Sequence, residues 1–117
     1  MAKDVRAMLN DLNAGIVRFG EARPEAVGAF SDFTHAAEKD SALDKKTKEL
    51  IGVAISVYSR CEYCIVYHVY NALRLGAARE EILDAAAAAM VYGGGPAMAY
   101  ASTMLLDCLD EFEKDFR

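Results

Sequence analysis

The sequence predicts an all-α fold, a bundle of about six helices. Three observations carry this expectation. Apolar residues make up 54% of the 117 residues, with many alanines and only two prolines, Pro24 and Pro96, a composition that favours helix over strand. Apolar side chains recur at steps of three and four along most of the chain, and no convincing run has the period of two that a strand needs. Punctuation is sparse and falls between the periodic stretches, most clearly at Gly93-Gly94-Gly95-Pro96.

The first helix is expected from Asp4 to about Phe19. Val5, Met8, Leu9, Leu12, Ile16 and Phe19 form its buried stripe, and Gly20 is its stop. Asp4 and Arg18, at opposite ends, suit the helix dipole. Pro24 fits the first turn of a second helix that runs to about Lys39 and buries Val27, Phe30, Phe33, Thr34 and Ala37. His35 beside that stripe reads as a partly exposed helix residue, because no second ligand lies near it in sequence.

Asp44 is the N-cap expected for a third helix, Lys45 to about Ser59, charged at its start and apolar from Leu50 to Val57. Glu49 falls where this helix turns from solvent towards the core, a place where a carboxylate is ordinarily a surface residue. Ser59 and Arg60 make a short break. Cys61 opens a fourth helix that ends near Leu75, closed by Gly76.

A fifth helix, Arg79 to about Tyr92, starts without a good N-cap, since Ala78 stands where Ser or Thr would be expected. Its alanine-rich body up to Val91 reads as buried on every face. The glycine run then reads as a turn, because it lacks the spacing and the following Lys-Ser or Lys-Thr of a phosphate loop. Pro96 starts a sixth helix, Ala97 to about Phe112, with Met98, Ala101, Met104, Leu105, Cys108 and Leu109 on its core face. Cys108 fits there as a small buried hydrophobe. Glu111 to Arg117 read as a fraying charged end. No repeat, low-complexity segment or linker divides the chain, so residues 1–117 read as one domain.

The net charge of −5 argues against nucleic acid or an anionic membrane as partner. No secretory segment or uninterrupted membrane-length apolar run stands out, and a cytoplasmic location is expected. In that compartment a Cys-x-x-Cys pair is more often catalytic or metal-binding than a permanent staple. The apolar fraction is high for so small a domain, which predicts contact with another subunit.

The chemistry concentrates in Cys61-Glu62-Tyr63-Cys64-Ile65-Val66-Tyr67-His68, which holds two of the three cysteines and one of the two histidines. On a helix, offsets of three, four and seven put Cys61, Cys64 and His68 on one face. A structural zinc site would need a fourth ligand, from Glu49 or Cys108. A c-type haem needs His directly after the second Cys, where this chain has Ile65. A redox or peroxidatic pair needs what is present, two thiols one turn apart and a base. The helix dipole favours Cys61 as the nucleophile, aided by Arg60 and opposed by Glu62. General-base logic favours Cys64, with His68 four residues on. Composition and spacing leave that choice open.

Glu49, eleven residues, then Cys61-x-x-Cys64-x-x-x-His68 resembles the pattern of the AhpD-like alkylhydroperoxidases within the carboxymuconolactone decarboxylase superfamily. Lys48-Glu49-Leu50-Ile51, Tyr70-Asn71-Ala72-Leu73 and Gly76-Ala77 ahead of Glu80-Glu81-Ile82 agree with it, and the likeness covers roughly residues 30–105. The resemblance implies an oligomeric, all-α thiol-dependent peroxidase or disulfide oxidoreductase. It implies Cys64 as the peroxidatic cysteine that becomes a sulfenic acid, Cys61 as the resolving cysteine, His68 as general base and Glu49 as a carboxylate feeding a proton relay. Some members have a second histidine between the cysteines. Tyr63 occupies that slot here as a possible relay group, and a phenol is a hydrogen-bond donor but a poor proton acceptor at neutral pH. The implied partners are a hydroperoxide substrate, a dithiol reductant such as dihydrolipoamide or a thioredoxin-like protein, and further copies of the chain as dimer, trimer or hexamer. No metal, flavin or nicotinamide is implied. The rival expectations are a carboxymuconolactone-type decarboxylase, whose members generally lack the cysteine pair, and a non-catalytic redox-sensing or metal-binding oligomer.

Overall fold

A computed structural model describes residues 3–116, and these contain helix and no strand. The elements are α1 (Val5–Ala22), α2 (Pro24–Glu38), α3 (Lys45–Ser59), α4 (Glu62–Arg74) and α5 (Arg79–Tyr100), followed by a π turn (Ala101–Leu105), α6 (Leu106–Phe112) and a final 3-10 turn (Glu113–Asp115). Asp44 caps α3 as expected, accepting the Thr47 N–H at 2.8 Å; Asp4, read as the first residue of α1, is instead its N-cap and accepts the Ala7 N–H at 3.0 Å. Ala78 cannot cap with its side chain, and Glu81 compensates by accepting the Ala78 N–H at 2.9 Å.

α4 is the central rod. Ile65, Val66, Val69 and Ala72 on it are fully buried. α3 packs against α4 and α5, while α1 and α6 contact α4 and each other. Val53 and Val57 of α3, Ile82 of α5, and Leu105, Leu109 and Phe112 near the C-terminus complete the interior. Each such large side chain contributes about 1.5–3 kcal/mol on burial. The N- and C-terminal helices are also clamped by Arg6, which donates to Glu111 at 3.1 Å and to Asp115 at 2.8 Å and stands 5.1 Å from the Phe112 ring centre. The charged C-terminal stretch is therefore tied down as far as Asp115 rather than fraying, and Arg117 lies outside the described residues.

The structure corrects the sequence reading in three further places. The glycine run is not a loop. Gly94 takes φ 62° and ψ −145°, which bends the rod, and helical turns resume at once. From Arg79 to Phe112 no loop intervenes, so loops separate five helical rods, the last long and bent, instead of six. Gly20 does not stop α1, which runs to Ala22. Most importantly, apolar stripes expected in the core lie outside it. α2 buries no residue, Phe30 is 67% exposed, and Ile16, Phe19 and Phe33 are exposed as well. α5 is not buried on every face, since Val91 and Tyr92 are 80% and 79% exposed. Periodicity marks an apolar face but does not say whether this chain or another covers it.

Candidate active site

The joint between α3 and α4 builds the site. α3 ends when Arg60 adopts the left-handed conformation, φ 57°, and two backbone bonds close the turn. The Arg60 N–H donates to Val57 O at 3.2 Å and the Cys61 N–H donates to Ser56 O at 3.1 Å. Cys61 also begins the next helix. It is the N-cap of α4, with extended backbone at φ −89° and ψ 104°, and its Sγ accepts the Cys64 N–H at 3.3 Å. One residue thus finishes one helix and starts another, a position one step ahead of the first helical turn that the sequence reading gave it.

Cys61 and Cys64 are joined by a disulfide with their Cα atoms 5.2 Å apart. Both are half-buried. His68 follows Cys64 by one turn, and its Nδ1–H donates to Glu49 Oε2 at 2.7 Å, the short contact of a charge-assisted bond. The bond commits Nδ1 to Glu49 and leaves Nε2 as the ring nitrogen for a neighbour such as Cys64. Glu49 is 8% exposed and is the buried carboxylate among the described residues. The reading of Glu49 as an ordinary surface carboxylate therefore fails, and it bonds directly to His68.

Two neighbours of the imidazole had no counterpart in the sequence reading. A Cβ at Gly52 would lie 2.6 Å from His68 Nδ1, so the bare backbone of α3 makes room for the ring. A glycine inside an apolar helix was the available signal. Glu38, at the end of α2, shares with Glu49 a polar cavity of about 260 Å³ that also includes His35, Lys45, Tyr67 and Arg74. Burial, then the nearby Glu49 carboxylate, hold the Glu38 carboxyl above the usual carboxylate range. His35 is an exposed helix residue, as expected, with Nδ1–H donating to Ser31 O at 2.8 Å.

Tyr63 stands apart from this pair. It is 47% exposed and closes an apolar groove of about 540 Å³ between α1 and α2, beside Ile16, Phe19, Val27 and Phe30. Glu62, expected to oppose a thiolate at Cys61, is engaged by Lys3. Cys108 is fully buried, as the sequence suggested, and burial pushes its thiol up to about 12. Three functional groupings result: a redox-capable cysteine pair at a helix start, an imidazole–carboxylate pair one turn deeper, and a polar cavity behind the carboxylate.

The sequence pattern of the Carboxymuconolactone decarboxylase family matches residues 24–107. An uncharacterised protein of Cupriavidus necator is 37% identical over 105 residues, covering 90% of this chain and 93% of that one. Among solved structures, a carboxymuconolactone decarboxylase family protein from Legionella pneumophila superposes with a TM-score of 0.88 at 39% identity, covering 92% of this chain and 96% of its own. A protein of the same family from Thermotoga maritima gives a TM-score of 0.69 at 33% identity, covering 97% and 95%. Helix order, cysteine pair and matched sequence pattern lead to one conclusion: this chain belongs to the carboxymuconolactone decarboxylase family.

Proposed function

We propose that the protein is a thiol-dependent peroxidase or disulfide oxidoreductase of the AhpD-like kind. The observation that carries this reading is the Cys61–Cys64 disulfide set one helical turn from a half-buried His68 paired with the buried Glu49. In the reduced protein, His68 takes the Cys64 thiol proton at Nε2 while Glu49 stabilises the imidazolium through Nδ1. The Cys64 thiolate attacks one oxygen of a hydroperoxide, the O–O bond breaks, and the alkoxide leaves as an alcohol with the proton from His68. Cys64 is then a sulfenic acid. The Cys61 thiol attacks that sulfur, water departs, and the disulfide forms. A dithiol donor reduces it by exchange and is itself oxidised to a disulfide.

The exposure of Tyr63 beside the disulfide favours a protein or lipoyl dithiol that docks against this end of α4. With a phenol in place of a second imidazole, this reading gives weight to disulfide exchange with such a partner beside peroxide reduction. Exposed apolar faces on α1–α2 and α3–α5, including Phe30, Ile55, Tyr58 and Tyr92, support a homo-oligomer. A reducing compartment such as the cytoplasm suits a cycling dithiol. The Thermotoga maritima relative has been put forward as taking part in an antioxidative response, in keeping with this reading.

The test is hydroperoxide consumption with dihydrolipoamide as reductant, wild type beside Cys64→Ser. A clear wild-type rate that the variant lacks is expected. Equal rates would overturn the assignment of Cys64. Turnover of a carboxymuconolactone by protein with both cysteines alkylated would replace it with the decarboxylase reading.

A further inference from the structure

We propose that Glu38 is a positioning residue for the His68–Glu49 pair: it forms a proton-sharing carboxyl pair with Glu49 and so sets how much negative charge stands behind His68. The inference deepens the peroxidase reading and rests on it for its role in catalysis. Glu49 is buried and bonded to His68, and it reaches solvent through the polar cavity. Glu38 is half-buried and lines that cavity together with Glu49, whose carboxylate adds to burial in holding the Glu38 carboxyl above the usual carboxylate range. Two carboxylates lining so small a cavity cannot both ionise easily, so one proton is retained by the pair, and desolvation strengthens the effect. Glu38 supplies that proton from the C-terminal end of α2.

The surroundings determine the direction. From α2 His35, and from the residue after it Lys39, face the cavity; from α3, Lys45 and Glu49; from α4, Arg74, with His68 acting across Glu49. Of these, His68 and His35 oppose the retention of the Glu38 proton without outweighing burial and the competition with Glu49. At acid pH the pair keeps its shared proton and carries one charge. Once Glu38 ionises it carries two. The second charge stabilises the imidazolium that forms when His68 accepts the Cys64 proton, and so favours the reactive thiolate. The proton count is closed: the thiol proton moves to His68 Nε2, the Nδ1–H stays shared with Glu49, and the proton lost by Glu38 goes to water in the cavity.

The test uses the full chain with Cys61→Ser, so that Cys64 is the accessible thiol, and measures its alkylation by iodoacetamide from pH 5 to pH 9. Adding Glu38→Gln should leave the rate unchanged at pH 5 and lower it roughly threefold at pH 8, the effect of one charge at a partly solvated site. Glu38→Asp, which keeps the charge, should recover most of the difference. The His68 ring resonances of the parent should show an inflection as Glu38 ionises that the glutamine variant lacks. Superimposable profiles, or a rate lowered equally at every pH, would overturn the proposal. Thiol alkylation needs no peroxide turnover. A shifted profile in a protein that consumes no hydroperoxide would therefore keep Glu38 in this role and reject the peroxidase reading. An unshifted one in an active peroxidase would do the reverse.

Discussion

Replacing Glu49 by Gln isolates the charge behind His68 from the shape around it. Gln keeps the length of the side chain and a carbonyl oxygen that can accept the His68 Nδ1–H, so the 2.7 Å contact can persist. What disappears is the negative charge, in a group only 8% exposed and hence poorly screened by solvent. A hydrogen bond to a charged partner is worth about 1.5–3 kcal/mol net and a neutral one about 0.5–1.5 kcal/mol. The difference, about 1–1.5 kcal/mol, applies to the state in which His68 carries the thiol proton. It corresponds to a fall of about tenfold in the thiolate–imidazolium form, at 1.36 kcal/mol per factor of ten. Stopped-flow reduction of a hydroperoxide by pre-reduced protein should slow by about that factor, with circular dichroism unchanged. A rate within twofold of wild type would refute the idea that Glu49 acts through its charge.

Three other outcomes follow from the same geometry. Arg60→Gly should raise the melting temperature by about 3 °C, because a non-glycine left-handed residue costs about 1–2 kcal/mol and glycine returns part of that as unfolded-chain entropy; scanning calorimetry reads it. Glu38→Gln should raise thermal stability at pH 8 but not at pH 4. A carboxyl whose folded-state value is raised contributes stability when protonated and loses it as pH rises through that value, and the amide mimics the protonated form; melting curves at the two pH values check the sign. Reduced, folded protein should take up a thiol reagent at Cys61 and Cys64 only, with Cys108 labelled after unfolding, as peptide mass mapping would show.

The cysteine pair, the histidine and the Asp44 cap were legible because each depends on neighbours within a few residues. Asp44 capping Thr47 is such a case, and so is Cys64 four residues before His68. A role for Glu49 was legible only through the family resemblance in spacing, since periodicity alone left it where the helix turns from solvent towards the core. Glu38 and Gly52 escaped because their meaning lies in what stands opposite them on another helix. The glycine run misled for a different reason. Three glycines permit a turn but do not require one, and only Gly94 uses a conformation that other residues avoid. Burial was least legible on α1 and α2, where an amphipathic face is present and this chain does not cover it.

The joint at Arg60 and Cys61 has no slack. α3 runs back from it to Glu49 and α4 runs on from it to His68, so the meeting of these two side chains is fixed by how many residues lie on each side. One residue inserted between Ser59 and Glu62 would turn α4 by about 100° and swing the imidazole away from its carboxylate. The chain here works as a ruler. Many substitutions along α3 and α4 can be absorbed while the count holds, whereas a change in length cannot be compensated by any side chain. Descendants of this sequence should drift in composition and stay constant in spacing.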